Sequence, residues 1–154
     1  MKNNKILRVL GIAIVLSLLV VAIPATPALA AGYIYVSPDD GEIDDSINIY
    51  GYGFTPGATV YIYFSSDEAE EGDHLDEEVT AYELVVITTA GAAGAYNEGE
   101  IDIYFTVPDE LTDGDDDEDV HGGDYYIYVT THSTSKKIMA VADFTVIGGE
   151  LTRP

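Results

Sequence analysis

Asp113, Asp115 and Asp117 stand at alternate positions of an acidic run that continues through Glu118 to Asp119, and Asp124 falls at the twelfth position counted from Asp113. Alternate oxygen ligands closed by a twelfth-position carboxylate are the spacing of a calcium loop, in which hard oxygens surround a hard cation. Asp113, Asp115, Asp117, Asp119 and Asp124 are therefore the candidate calcium ligands, and calcium is the one cofactor the pattern suggests. The match to the helix-loop-helix motif is incomplete, because Glu118 occupies the place of its glycine and strand-like alternation flanks the run. Zinc fits less well, since the chain has no cysteine and His74, His121 and His132 are scattered. The other reading of the same residues is a solvated acidic surface that keeps an exported protein soluble.

Tyrosine is the second residue type with chemistry to offer. Tyr61 and Tyr63 alternate with aliphatic residues in one stretch, and Tyr126 and Tyr128 do so in another. A period of two sends alternate side chains to opposite faces of a sheet. If the aliphatics are core, these four tyrosines share an outer face, where they would stack on sugar rings or pack against a protein. The same reasoning sends Tyr33, Tyr35, Tyr50, Tyr52 and Tyr104 to the outer face of the opposite sheet and turns Tyr125 inward, in register with Ile127 and Val129. The alternative is plain sheet stability, because tyrosine has high β-propensity and cross-strand pairs contribute about 0.2–1 kcal/mol each.

Catalytic signatures do not appear. The three histidines fall in loop segments, and neither a Gly-x-Ser-x-Gly elbow nor a His-Glu-x-x-His pair accompanies them. The glycine-rich stretch from Gly91 to Gly99 lacks the lysine of a phosphate-cradling loop. The reading is non-enzymatic.

Seven strands would carry these groups, near 33–37, 45–51, 59–65, 79–88, 100–107, 124–131 and 138–147, bounded by Gly, Pro, Asp and Ser. Pro38, Pro56 and Pro108 fall just outside them, where a missing amide donor does no harm. No segment after residue 30 has a helical period. The fold class expected is all-β, a seven-stranded antiparallel β-sandwich.

The order of motifs resembles the IPT/TIG group of immunoglobulin-like domains in its bacterial and archaeal cell-surface version. The resemblance rests on Val36-Ser37-Pro38 with Gly41, on Ile47 through Phe54 before Pro56-Gly57, and on Val60 through Phe64. Phe105-Thr106-Val107-Pro108, Gly123 through Val129 and Phe144-Thr145-Val146 extend it. It covers nearly all of 33–147 and implies an immunoglobulin-like sandwich with a role in adhesion or envelope architecture. Two departures stand out: Asp44-Asp45 replaces a second glycine before the second strand, and the acidic stretches Asp67 to Glu78 and Asp109 to Asp119 exceed what a turn needs.

Lys2, Lys5 and Arg8, the apolar run Val9 to Ile23, and Ala28-Leu29-Ala30 together read as a signal peptide over residues 1–30. The run is shorter than the roughly 20 residues that span a bilayer. Membrane contact would come only through this segment, were it left uncleaved. Residues 31–148 then form one domain, 149–154 a short tail, and the product is secreted or displayed at the cell surface without disulfides. All 28 acidic residues follow the signal segment, against Lys136, Lys137 and Arg153, a formal charge of −25. Such a chain repels phosphate backbones, which excludes nucleic acid as a partner.

With strand directions alternating, the first–second, third–fourth and fifth–sixth connections leave one end of the sandwich and gather most of the acids there. Lys136 and Lys137 belong to the other end. The functional expectation is an extracellular or cell-surface module for adhesion, self-association or envelope architecture, with self, other surface proteins or glycans as partners. In the self-association version the Lys136-Lys137 end of one copy meets the acidic pole of the next. The competing reading is a carbohydrate-binding module acting through Tyr61, Tyr63, Tyr126 and Tyr128.

Overall fold

The computed structural model describes residues 32–148. The signal helix expected over 1–30 and the tail 149–154 lie outside the described residues. The chain is mostly strand: β1 (Tyr33–Ser37), β2 (Asp40–Gly41), β3 (Ser46–Tyr52), β4 (Thr59–Ser65), β5 (Tyr82–Thr89), β6 (Ile101–Thr106), β7 (Glu110–Leu111), β8 (Glu118–Asp119), β9 (Gly123–Thr130) and β10 (Ile138–Val146). Each of the seven expected strands lies on one of the longer elements. One helical turn, α1 (Leu75–Glu78), breaks the expectation of no helix.

Two main sheets form, one in the order β1-β3-β6 and one in the order β2-β10-β9-β4-β5, with β7-β8 as a separate small ribbon. The arrangement is mixed rather than wholly antiparallel, because β2 pairs with β10 in parallel, Thr145 opposite Asp40 and Val146 opposite Gly41. Between Ser37 and Asp40 the chain passes from the edge of one sheet to the edge of the other without turning back on β1. The fourth expected strand also starts later than its pattern implies, at Tyr82. Val79 is buried in a second apolar cluster, and the Thr80 and Ala81 amides bond to the Asp67 carboxylate, so neither joins the ladder.

The inward positions of both sheets meet in one core. Ile47 and Ile49 of β3, Val60, Ile62 and Phe64 of β4, Phe105 of β6, Ile127 and Val129 of β9, and Phe144 of β10 are all buried there. Its centre is aromatic. Phe64 stacks on Tyr125 at 4.9 Å and meets Phe144 edge-on at 5.8 Å, while Phe105 approaches Phe144 at 6.3 Å from the opposite sheet. Such pairs add about 0.5–1.5 kcal/mol each beyond their area burial. Tyr125 is thus core, as its register required, and its hydroxyl accepts a hydrogen bond from the His121 amide at 3.0 Å.

Asp44 adopts φ 72° in the turn before β3. Aspartate is one of the few residues other than glycine that visits the left-handed region at modest cost. The neighbouring Asp45 carboxylate closes the turn by accepting from the Glu42 amide at 2.8 Å.

Candidate functional site

The five aspartates singled out by spacing do not converge. The Asp113 carboxylate accepts from the Leu84 amide at 2.8 Å, fixing the β6–β9 connection against the edge of β5. Asp115 and Asp117 are exposed in the loop, and Asp119 lies in β8 opposite Glu110. Asp124 is in β9, where it accepts from the Thr145 hydroxyl at 3.3 Å. Among the described residues no group of three or more His, Cys, Asp or Glu side chains is placed to hold a metal ion. A calcium ion is held by about six to eight oxygens at 2.3–2.6 Å. Alternate residues of a loop come together only when the chain wraps around a centre, and here the loop is bonded along the start of β5, the Asp113 amide to the Tyr82 carbonyl and the Asp116 amide to the Thr80 carbonyl.

The set Tyr61, Tyr63, Tyr126 and Tyr128 does come together on the outer face of the five-stranded sheet, with Tyr63 opposite Tyr128 and Tyr61 opposite Thr130. It is not an open face. Tyr128 is 0 % and Tyr63 3 % exposed, because residues 66–81 fold back across the sheet and cover them. Ala69, Leu75 and Val79 of this strap form a second apolar cluster with Tyr63, Tyr82, Tyr128 and Ile138. The Tyr128 hydroxyl donates to the Asp67 carbonyl at 2.6 Å and accepts from the Ala69 amide at 2.7 Å. Its burial holds the hydroxyl well above the usual tyrosine range. Tyr61 and Tyr126 remain half-buried at the margin.

The strap also corrects the charge map. It leaves the acidic end and reaches the opposite one, where the Leu75 amide donates to the Lys136 carbonyl at 3.0 Å and the Ile138 amide to the Asp73 carbonyl at 2.9 Å. His74 Nδ1 donates to the Ser135 carbonyl at 2.6 Å. Part of the acid expected at the pole is therefore carried across to the lysine pair. Lys136 is not free to meet another copy: its ammonium donates to the Tyr82 hydroxyl at 2.6 Å and lies 4.8 Å from the centre of that ring and 6.0 Å from that of Tyr63. Burial alone would lower its pKa, but the bond to Tyr82 and the neighbouring charges, Asp76 among them, outweigh it and raise the value. The signal for the strap lay in Leu75 and Val79, two apolar residues four apart inside an acidic segment.

The open aromatic surface is on the other sheet. Tyr33, Tyr35 and Tyr104 are 58 %, 58 % and 64 % exposed, Tyr50 and Tyr52 37 % and 38 %. Register arranges them in rows: Tyr33 beside Tyr52, Tyr35 beside Tyr50 and then Asp102, and Ser37 beside Asn48 and then Tyr104. Tyr52 stacks with Tyr33 at 5.4 Å and with Tyr35 at 6.2 Å. Asn48 donates to the Asp102 carboxylate at 2.8 Å. Desolvation among the rings, followed by the adjacent Glu100 carboxylate, raises the Tyr50 pKa, and the Tyr35 hydroxyl beside it raises that of Tyr52. Alternation predicted this face; Glu100, Asp102 and Asn48 are the members that reading missed, although Asp102 alternates with Tyr104 in the same strand.

His121 Nδ1 donates to the carbonyl of Asp119 at 3.0 Å, and His132 is exposed in the β9–β10 loop. Neither contacts the tyrosine face.

No family model matches the chain. No curated protein matches its sequence. Among solved structures, macromomycin is similar with a TM-score of 0.47 and 15% identity over 77% of this chain and 100% of its own. The Pseudomonas fluorescens alkylpurine DNA glycosylase AlkC, bound to DNA containing an abasic site analog, is similar with a TM-score of 0.37 and 13% identity, over 76% of this chain and 30% of its own. Likenesses of this size define neither a shared fold nor a function.

Proposed function

We propose that the protein is an exported, non-enzymatic interaction module of the cell exterior, an immunoglobulin-like sandwich of the IPT/TIG kind that contacts a partner through the tyrosine face of β1, β3 and β6. The observation that carries this reading is the grid of five exposed tyrosines, since large aromatic residues left in water on a regular sheet face are a mark of contact surfaces. The seven longer strands in two sheets around one core, together with the motif order in the sequence, support the immunoglobulin-like assignment. The signal segment supports export.

Adhesion to a different molecule is favoured over head-to-tail self-association. With Lys136 engaged inside the fold, a contact between copies would rest, among the described residues, on Lys137 alone. A glycan site on Tyr61, Tyr63, Tyr126 and Tyr128 loses its support to the burial of Tyr63 and Tyr128. No metal ion enters the reading.

Tyrosine nitration mapped by mass spectrometry, on the protein in its native envelope and on the purified protein, tests the proposal. Tyr33, Tyr35 and Tyr104 should react in the purified protein and be protected in the envelope, with buried Tyr128 unreactive in both. Equal reactivity of the three in both settings would sink it.

A further inference from the structure

The two outer faces of this molecule are built from the same material. Each carries tyrosines at alternate positions of adjacent strands, yet one is covered by the chain's own strap and the other is bare. The cover shows what a tyrosine face of this protein accepts: short apolar groups, Ala69, Leu75 and Val79, and one ammonium, Lys136, set over two rings and bonded to a phenol hydroxyl. Electron-rich rings attract cations, more strongly where water is excluded.

The bare face adds carboxylates to the rings. Glu100 stands beside Tyr50, and Asp102 is in the same row. No lysine or arginine occurs in β1, β3 or β6. An anionic ligand would be repelled, and so would a second copy of a chain with 28 acids. A sugar platform needs ring faces turned outward. Here Tyr33, Tyr52 and Tyr35 are near-parallel, 25° and 23° between planes, at separations where rings overlap one another. Rings stacked on one another have less of their faces free for a sugar, while their hydroxyls remain, the group that accepts from the Lys136 ammonium on the other sheet. Spacing points to an extended ligand, because alternate residues of a strand recur about every 6.6 Å, close to the 6.4 Å between the ring centres of Tyr50 and Tyr52 along β3.

Building on the contact surface proposed above, we infer that the face formed by Tyr33, Tyr35, Tyr50, Tyr52 and Tyr104 with Glu100 and Asp102 receives an extended, lysine- or arginine-bearing segment of a partner protein. The partner supplies in trans what the strap and Lys136 supply in cis on the opposite sheet.

The probe is a peptide of alternating lysine and threonine, titrated into the full-length exported protein at about 0.15 M ionic strength, where the Debye length is about 8 Å and diffuse attraction is screened. Its counterpart with glutamine for lysine is the neutral control, and a chitin hexasaccharide is the glycan arm. The charge-neutral set Tyr35→Thr, Tyr52→Thr and Tyr104→Thr should weaken the lysine peptide about tenfold. Glu100→Gln with Asp102→Asn should weaken it similarly. Asp115→Asn, Asp116→Asn and Asp117→Asn, which remove more charge far from the face, should change it less than about twofold. If the tyrosine set does not fold, as judged by its melting curve, the Glu100/Asp102 pair carries the comparison. Equal weakening by the loop set, or no weakening by the face sets, overturns the inference. Saccharide binding that depends on the tyrosines, without peptide binding, also overturns it while leaving the contact surface intact. Absence of nitration protection in the envelope removes the contact surface itself.

Discussion

Asp67 was one acid among many in the sequence, and in the fold it is a clamp. Its carboxylate accepts from the Thr80 amide at 2.8 Å, the Thr80 hydroxyl at 2.9 Å and the Ala81 amide at 3.2 Å. Partial burial alone would raise its pKa, but these three bonds outweigh it and hold the carboxyl below its ordinary value near 3.8. A depressed pKa means that the folded state binds its proton later than the unfolded chain, so the contribution is present above that ordinary value and lost as pH falls through the folded one. Asp67→Ala should therefore cost about 1–3 kcal/mol in urea unfolding at neutral pH. The difference from the wild type should shrink in acid, and a gap that persists unchanged below the carboxylate range would contradict the clamp. None of this was legible beforehand, because the partners lie thirteen residues away across a loop of unknown path. The same limit hid the bond that Asp113 makes back to the Leu84 amide, which its alternate spacing does not announce.

Strands were the legible elements, and faces were legible only by halves. Alternation tells which residues share a side, so the common face of Tyr61, Tyr63, Tyr126 and Tyr128 and the inward turn of Tyr125 could be read directly, whereas the register that sets Tyr63 opposite Tyr128 could not. It does not tell which side is covered. Coverage depends on a connecting segment, and connections carry no period. The strap inverts the two outer faces: the one expected to bind is sealed, and its counterpart remains open. Leu75 anchors the seal, fully buried at the first residue of α1. Removing a buried leucine side chain costs about 2–5 kcal/mol where the surroundings cannot collapse. Leu75→Ala should fall in that range and should raise the reactivity of Tyr63 and Tyr128 toward nitration. Loss of stability without new reactivity would mean that the strap does not lift as a unit. Gly114 shows how closely this region is fitted, since a Cβ there would run into the Thr80 carbonyl oxygen.

The described residues form a mostly β body, and the chain's size and heavy excess of negative charge were plain from composition. Its polarity was not, because the strap carries acids from one end to the other. Where carboxylates repel without converging, screening matters and ion identity does not. Added salt should raise the melting temperature. Calcium should raise it no further than magnesium at equal concentration; a calcium-specific rise would restore the ion site that the aspartate spacing suggested.

Lys136 is the only cation among the described residues besides Lys137, and it is spent inside the fold against Tyr82. The fixed charge of the described surface is therefore nearly all negative, with little positive charge to neutralise it internally. Were the protein displayed on a cell as proposed, many copies held side by side would act as an ion-exchange layer. Mobile cations drawn from the medium would supply the balance, and the osmotic pull of those ions would keep the layer swollen with water, thicker in dilute surroundings and collapsed in brine.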